Sequence, residues 1–114
     1  MLNKLHRLKK NNDIVKVLKE GKKFTEKFLI LKTVSNDSDN TRFAFIVSKK
    51  FSKKAVERNR IRRQIAEAVK DSLDKIQKGI DVVVLLIPGL QDRTTEEVQE
   101  TVKKLLIKSS LIKK

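Results

Sequence analysis

The stretch Asp81-Val82-Val83-Val84-Leu85-Leu86-Ile87 limits the possible folds more than any other part of the chain. It shows no alternation of apolar and polar residues. A strand apolar on both faces has to be covered on both, so this run predicts a fully buried strand. Pro88-Gly89 stops it. Val82 to Ile87 is also the longest apolar run, far short of the roughly 20 residues that span a bilayer.

The segments around it read as partners for that strand. Asn11 or Asn12 can cap a first helix, with Asp13 in its first turn and Ile14, Val17 and Leu18 at helical spacing. Gly21 suits the C′ position of that helix. Residues 22–25 predict a short strand. Residues 28–34 form a β-branched and apolar run of strand length, 35–40 a polar turn, and 42–48 another strand. The runs 28–34 and 42–48 thus read as an antiparallel hairpin. A helix starting near Val56 carries Ile61, Ile65, Ala68, Val69, Leu73 and Ile76 as one continuous stripe, ending at Lys78-Gly79. Thr94 and Glu97 form a possible capping box for a last helix, with the stripe Val98, Val102, Leu105 and Leu106. Lys103, Lys104 and Lys108 stand at its C-terminal end, where the helix dipole favours them. The order is helix, one or two strands, strand, helix, strand, helix. It implies an α/β sandwich, one small mixed sheet with helices packed on it, in a single domain of 114 residues. Residues 1–10 are expected to be a mobile basic arm.

Charge restricts the partner. The formal net charge is +14 and the pI near 10.2. From Lys49 to Arg63 there are four Lys, four Arg and one Glu, half of the net charge in fifteen residues. Residues 1–23 carry +6 and 103–114 carry +5, whereas 71–102 carry −4. So one side should be basic and another acidic, which orients a protein on a polyanion. Nucleic acid is the leading partner and an anionic membrane the second. The first twenty residues lack the apolar segment of a secretory signal. The chain has no Cys, which excludes disulfides and thiolate metal sites and fits a reducing compartment. These features read as a soluble cytoplasmic protein.

Helical azimuth sharpens the basic block. With Ile61, Ile65 and Ala68 facing inward, Asn59, Arg60 and Arg63 fall on the opposite side. Arg58 and Arg62 stack nearer the edge of the apolar stripe. Guanidinium forks one turn apart suit a phosphate backbone. Asn59 can donate and accept, so it can read a base edge or a 2′-hydroxyl. Lys49, Lys50, Lys53 and Lys54 extend this surface toward the helix N-terminus. A merely solvated face is disfavoured, because eight bases with one acid offer almost no internal ion pairing. The terminal Lys/Arg runs are as consistent with solubility as with binding.

Of the five Phe residues, Phe43 and Phe45 share one strand face and are expected in the core. Phe28 and Ile30 share a face of the other strand. They are core if a helix covers it, and a base-stacking surface if it is open. Catalytic groups are scarce. His6 is the sole His, expected to be solvated in the arm, and no convergent carboxylates can be assembled beside the basic block.

Val47-Ser48-Lys49-Lys50, followed by Ala55-Val56-Glu57-Arg58-Asn59-Arg60-Ile61-Arg62-Arg63, resembles the signature of the protein subunit of bacterial ribonuclease P. The resemblance covers nearly the whole chain. Leu8 to Asp13, with Val17 and Gly21, looks like the family's first helix, and Asp81 to Val84 before Pro88 its last strand. It implies the order α-β-β-β-α-β-α, like the second domain of ribosomal protein S5, with a left-handed β-α-β crossover; general physics would choose the right-handed one. It implies a role in 5′-end maturation of precursor tRNA, in which ribonuclease P RNA cuts with its own magnesium. No catalytic or metal-binding residue and no cofactor are then expected in this chain, nor a membrane or an obligate protein partner. The Arg-Asn-Arg region would contact the RNA. A cleft lined by Ile14, Leu18, Phe28, Ile30, Lys32, Ser48 and Lys50 would hold the 5′ leader. Ile14, Leu18 and Lys32 stand where the family usually has aromatic residues, and Ala44 and Ser52 where glycine is common. Aliphatic side chains stack less well on bases than rings do, so weaker leader binding is expected. Two other readings compete: a structural RNA-binding protein such as a ribosomal protein, and a self-sufficient metal nuclease, against which the missing carboxylate cluster argues.

Overall fold

The computed structural model describes residues 6–27, 29–36, 38–47, 53–86 and 95–112. Its elements are α1 (Asn11–Glu20), β1 (Lys22–Glu26), β2 (Leu29–Ser35), β3 (Arg42–Val47), α2 (Ala55–Asp71), β4 (Ile80–Leu86) and α3 (Thr95–Lys108). This is the expected α-β-β-β-α-β-α order. The four strands form one mixed sheet in the order β1-β2-β4-β3.

The strand apolar on both faces takes an interior place. Val82, Val83 and Val84 are all 2% exposed or less. β4 runs antiparallel to β2, pairing Leu31 with Val84, and parallel to β3, pairing Phe43 with Val82. The expected hairpin between 28–34 and 42–48 is therefore not formed, because β4 lies between those strands. The hairpin partner of β2 is β1, with Phe24 opposite Leu31. Burial overrides nearness in sequence. β4 buries five of its seven residues, against two of seven in β2 and three of six in β3, which carry Lys32, Thr33 and Arg42.

Strand alternation sorts the core onto two faces. Leu29, Leu31, Phe43, Val82, Val84 and Leu86 meet the inner sides of α2 and α3. Phe45 joins this face half-buried, its ring 6.1 Å from that of Phe43 in a stacked arrangement. The stripe Val98, Val102, Leu105 and Leu106 on α3 is buried as expected. Beyond α3, Ser110 turns with φ 63, and Leu111 and Ile112 fold back into the core. On the other face Val17 of α1 meets Ala44 and Val83, with Ile14, Leu18, Val34, Ile46 and Leu85 half-buried around them. α1 fully buries only Val17, so its apolar anchor is small, about 1.5–3 kcal/mol.

Several local expectations are corrected. α1 begins after Lys10, with no side-chain cap, rather than on a capping Asn11 or Asn12. Gly21 follows α1 with extended backbone (φ −67, ψ 148), not a left-handed one, and its N–H donates to the Val17 carbonyl at 2.8 Å. Glycine is required there by close approach: a Cβ would lie 2.3 Å from that carbonyl and 3.2 Å from Lys32 Cβ. α2 stops at Asp71, where the Ser72 N–H reaches back to Val69 at 3.0 Å and a 3-10 turn Leu73–Lys75 follows. Leu73 and Ile76 still pack on the core, but from this turn. Apolar spacing alone cannot distinguish a continued helix from a tightened one. Gly79 does not end the helix; its φ of 78 turns the chain into β4.

Residues 6–8 of the expected arm run along the outer edge of β3. The Leu8 N–H donates to Phe43 O at 2.8 Å, Arg7 bridges Phe43, and Leu8 is buried. His6, expected to be solvated, is half-buried with Nδ1 3.0 Å from the Thr41 carbonyl. Thr94 of the expected capping box, and the strand stop at Pro88-Gly89, lie outside the described residues.

Candidate nucleic-acid interface

α2 presents the described part of the basic block. Ile61, Ile65, Ala66, Ala68 and Val69 turn inward. Lys53, Lys54, Asn59, Arg60 and Arg63 are exposed, while Arg58 and Arg62 are half-buried at the edge of the stripe. A 3.6-residue period on a helix with one buried side gives this division. Arg62 Nη1 donates to Asn59 Oδ1 at 2.8 Å. That bond orients the Asn59 amide so that its N–H donors face away from Arg62. Lys49 and Lys50 lie outside the described residues.

The second candidate surface is the face of the sheet that α1 crosses. Of the seven residues expected to line a cleft there, four are described: Ile14 and Leu18 on α1, Ile30 and Lys32 on β2. All four are half-buried. Phe28, Ser48 and Lys50 lie outside the described residues. Lys32 Nζ donates to the Leu18 carbonyl at 2.9 Å, so its charge stands at the C-terminal end of α1, where the helix dipole favours a cation. Ile30 is half-buried on this face and pairs across the sheet with Leu85.

The other end of α1 is held by ions. Arg42 on β3 grips Asp81 on β4 through two hydrogen bonds of 2.8 Å, with Asp13 of α1 3.7 Å away. Asn36 donates to Asp81 Oδ1 at 2.7 Å. Asp81 is buried, and its bonds to Arg42 hold that guanidinium more firmly charged than usual. Asp13 and Asp81 are thus turned to an arginine rather than toward a metal or a reacting phosphate. Among the described residues, no group of three or more His, Asp and Glu could hold a metal ion. No helix among them is long and apolar enough to cross a membrane.

Arg7 was not among the expected site residues. Leu2, Leu5 and Leu8 recur every third residue through the basic segment, a signal that it docks, and Leu8 is buried. Docking places Arg7 on the same groove as Arg62.

Comparison with known proteins connects these surfaces to a family. The family model for ribonuclease P matches residues 2–110. The chain is 37% identical over 110 residues to the ribonuclease P protein component of Clostridioides difficile, with 96% of each covered. It is 33% identical over 115 residues to that of Microcystis aeruginosa, covering 97% of this chain and 96% of the relative. Among solved structures, the RNase P protein from Staphylococcus aureus has 30% identity and a TM-score of 0.87, covering 94% of this chain and 97% of that one. The RNase P protein from Thermotoga maritima has 28% identity and a TM-score of 0.82, covering 90% and 96%. In the Arg58-Asn59-Arg60 motif, Asn59 and Arg60 are exposed on α2 and Arg58 is half-buried at the edge of its stripe, and the match runs nearly end to end in both directions. The chain therefore belongs to the ribonuclease P protein family, whose members are accessory subunits of a ribonucleoprotein endoribonuclease.

Proposed function

We propose that this chain is the protein component of a ribonuclease P holoenzyme, acting in 5′-end maturation of tRNA in the cytoplasm. Asn59, Arg60 and Arg63, with Arg58, Arg62 and the lysines 49, 50, 53 and 54, hold the catalytic RNA. The observation that carries this reading is the splitting of α2 into a buried stripe and an exposed guanidinium row. The face crossed by α1, with Ile14, Leu18, Ile30 and Lys32 and with Phe28, Ser48 and Lys50, takes the 5′ leader of precursor tRNA. The cut itself is made by the RNA with magnesium held in the RNA–protein holoenzyme. This chain supplies charge and position, not acid–base groups.

Affinity measurements with two tRNAs test the leader assignment. Holoenzyme and RNA alone are each titrated with precursor tRNA and with mature tRNA. The protein is expected to tighten binding of the leader-bearing molecule and to leave mature tRNA nearly unchanged. Equal tightening of both would place the protein's contacts on the tRNA body instead.

A further inference from the structure

β1 is an edge strand: in the order β1-β2-β4-β3 its strand neighbour is β2, and its other side carries no strand among the described residues. Glu26 pairs with Leu29 across a tight turn, and Phe24 with Leu31. In an antiparallel hairpin closed this tightly, the residue at the turn and every second one before it exchange backbone hydrogen bonds with the partner strand. Lys22, Phe24 and Glu26 therefore bond β2, and the N–H and C=O groups of Lys23 and Thr25 point to the open side. Such a row of outward groups is a template for another strand.

Lys108, the last residue of α3, reaches over that edge. Its Nζ donates to the Thr25 carbonyl at 2.8 Å and stands 3.7 Å from the Glu26 carboxylate. Both are groups that a second β1 would use. Two copies of β1 can pair antiparallel through their outward groups, centred on Phe24. Lys23 and Thr25 of the two chains then exchange their backbone hydrogen bonds. Phe24 stands opposite Phe24 in the closer, non-hydrogen-bonded kind of pair, and Lys22 stands opposite Glu26 on either side of it. Aromatic pairs and opposite charges favour this register. With Lys108 in place, the Thr25 carbonyl already has a donor and the Glu26 carboxylate already has a cation. Each chain would also bring one more positive charge to the seam, which opposes pairing.

We propose that the β1 edge is an interaction surface for a second copy of this chain, held closed by Lys108. Without that side chain, two chains join their sheets there by antiparallel β1–β1 pairing centred on Phe24. The edge lies across the sheet from β3, the strand on which α2 packs, so pairing there leaves the basic helix free. The inference stands apart from the RNA-binding reading above and does not depend on it.

Sedimentation equilibrium of the full-length, nucleic-acid-free protein tests this over a range of concentrations. It is run at about 0.15 M salt, where charges farther apart than about 8 Å are largely screened. Wild type is expected to keep the monomer mass of 13.2 kDa. Lys108→Met and Lys108→Gln each keep a good helix former at the end of α3, where the side chain is 54% exposed, so both should fold. Each is expected to raise the self-association constant about tenfold or more, toward a dimer. Lys108→Arg, which keeps a donor and a charge, should stay monomeric. In the neutral variants the Thr25 amide, which faces the open side in the monomer, should become protected from hydrogen exchange. Adding Thr25→Pro removes that donor without touching the bonds to β2 and should restore the monomer. Neutral variants as monomeric as wild type overturn the proposal. So does a wild type or a Lys108→Arg variant that associates as strongly as the neutral ones, and so does association that survives Thr25→Pro.

Discussion

Lys32 Nζ donates to the Leu18 carbonyl at 2.9 Å, tying the middle of β2 to the last turn of α1. With the Arg42–Asp13 approach at the opposite end, α1 is held to the sheet by a cation at each terminus and by one fully buried apolar residue, Val17, between them. This helix forms one wall of the proposed leader cleft, so its seating sets the cleft's width. Lys32→Met keeps the aliphatic stem and removes the cap. It should cost about 1 kcal/mol in urea denaturation and speed amide exchange in the last turn of α1. Unchanged exchange there would show that the bond does not hold the helix.

Gly21→Ala should cost more. The backbone angle at Gly21 suits any residue, so the penalty is steric: the new methyl would lie 2.3 Å from the Val17 carbonyl. Overpacking of this kind costs about 1–3 kcal/mol. A melting temperature equal to wild type would mean that α1 sits farther from β2 than described.

The Arg42–Asp81 pair should behave as a unit. Arg42→Met leaves Asp81, 5% exposed, with Asn36 as its remaining side-chain donor, at a cost of about 1–3 kcal/mol, discounted for the partial exposure of Arg42. Asp81→Asn should cost a similar amount, and the double variant less than the sum of the two. Strict additivity in the denaturation cycle would show that the groups do not interact.

Much of this arrangement could be read in the chain, for identifiable reasons. Val82 to Leu86 has no polar face, so its interior place followed from composition alone. Val98, Val102, Leu105 and Leu106 keep strict helical spacing, so the buried side of α3 did too. Strand pairing did not. Residues 28–34 and 42–48 are neighbours in sequence, and no local signal says that a later strand will enter between them. The stripe through Leu73 and Ile76 keeps its period while the helix itself stops. Arg7 was hidden because the density of charge in residues 1–10 outweighed the recurring Leu2, Leu5 and Leu8, of which Leu8 is buried.

The cleft residues give a gain-of-function test. Leu18 is aliphatic and half-buried at the end of α1, above Lys32 of β2. Leu18→Phe supplies a ring on which a leader base can stack, a contact worth about 1–3 kcal/mol. Holoenzyme carrying it should bind precursor tRNA several-fold more tightly, with mature tRNA unaffected. Equal affinity in a variant of normal stability would place the leader elsewhere.

Arg60→Ala and Arg63→Ala should each weaken binding to ribonuclease P RNA and lower the salt slope by about one unit, since each removes one phosphate contact. An unchanged slope would mean that these side chains face solvent in the complex.

Reconstitution tests the central claim most directly. The purified protein is added to a bacterial ribonuclease P RNA and a precursor tRNA at low magnesium, and 5′ cleavage is followed over time. The account predicts slow cleavage by RNA alone, strong stimulation when the protein is present, and no cleavage by the protein without RNA. Cleavage by RNA that the protein leaves unchanged, or cleavage by the protein alone, would contradict it.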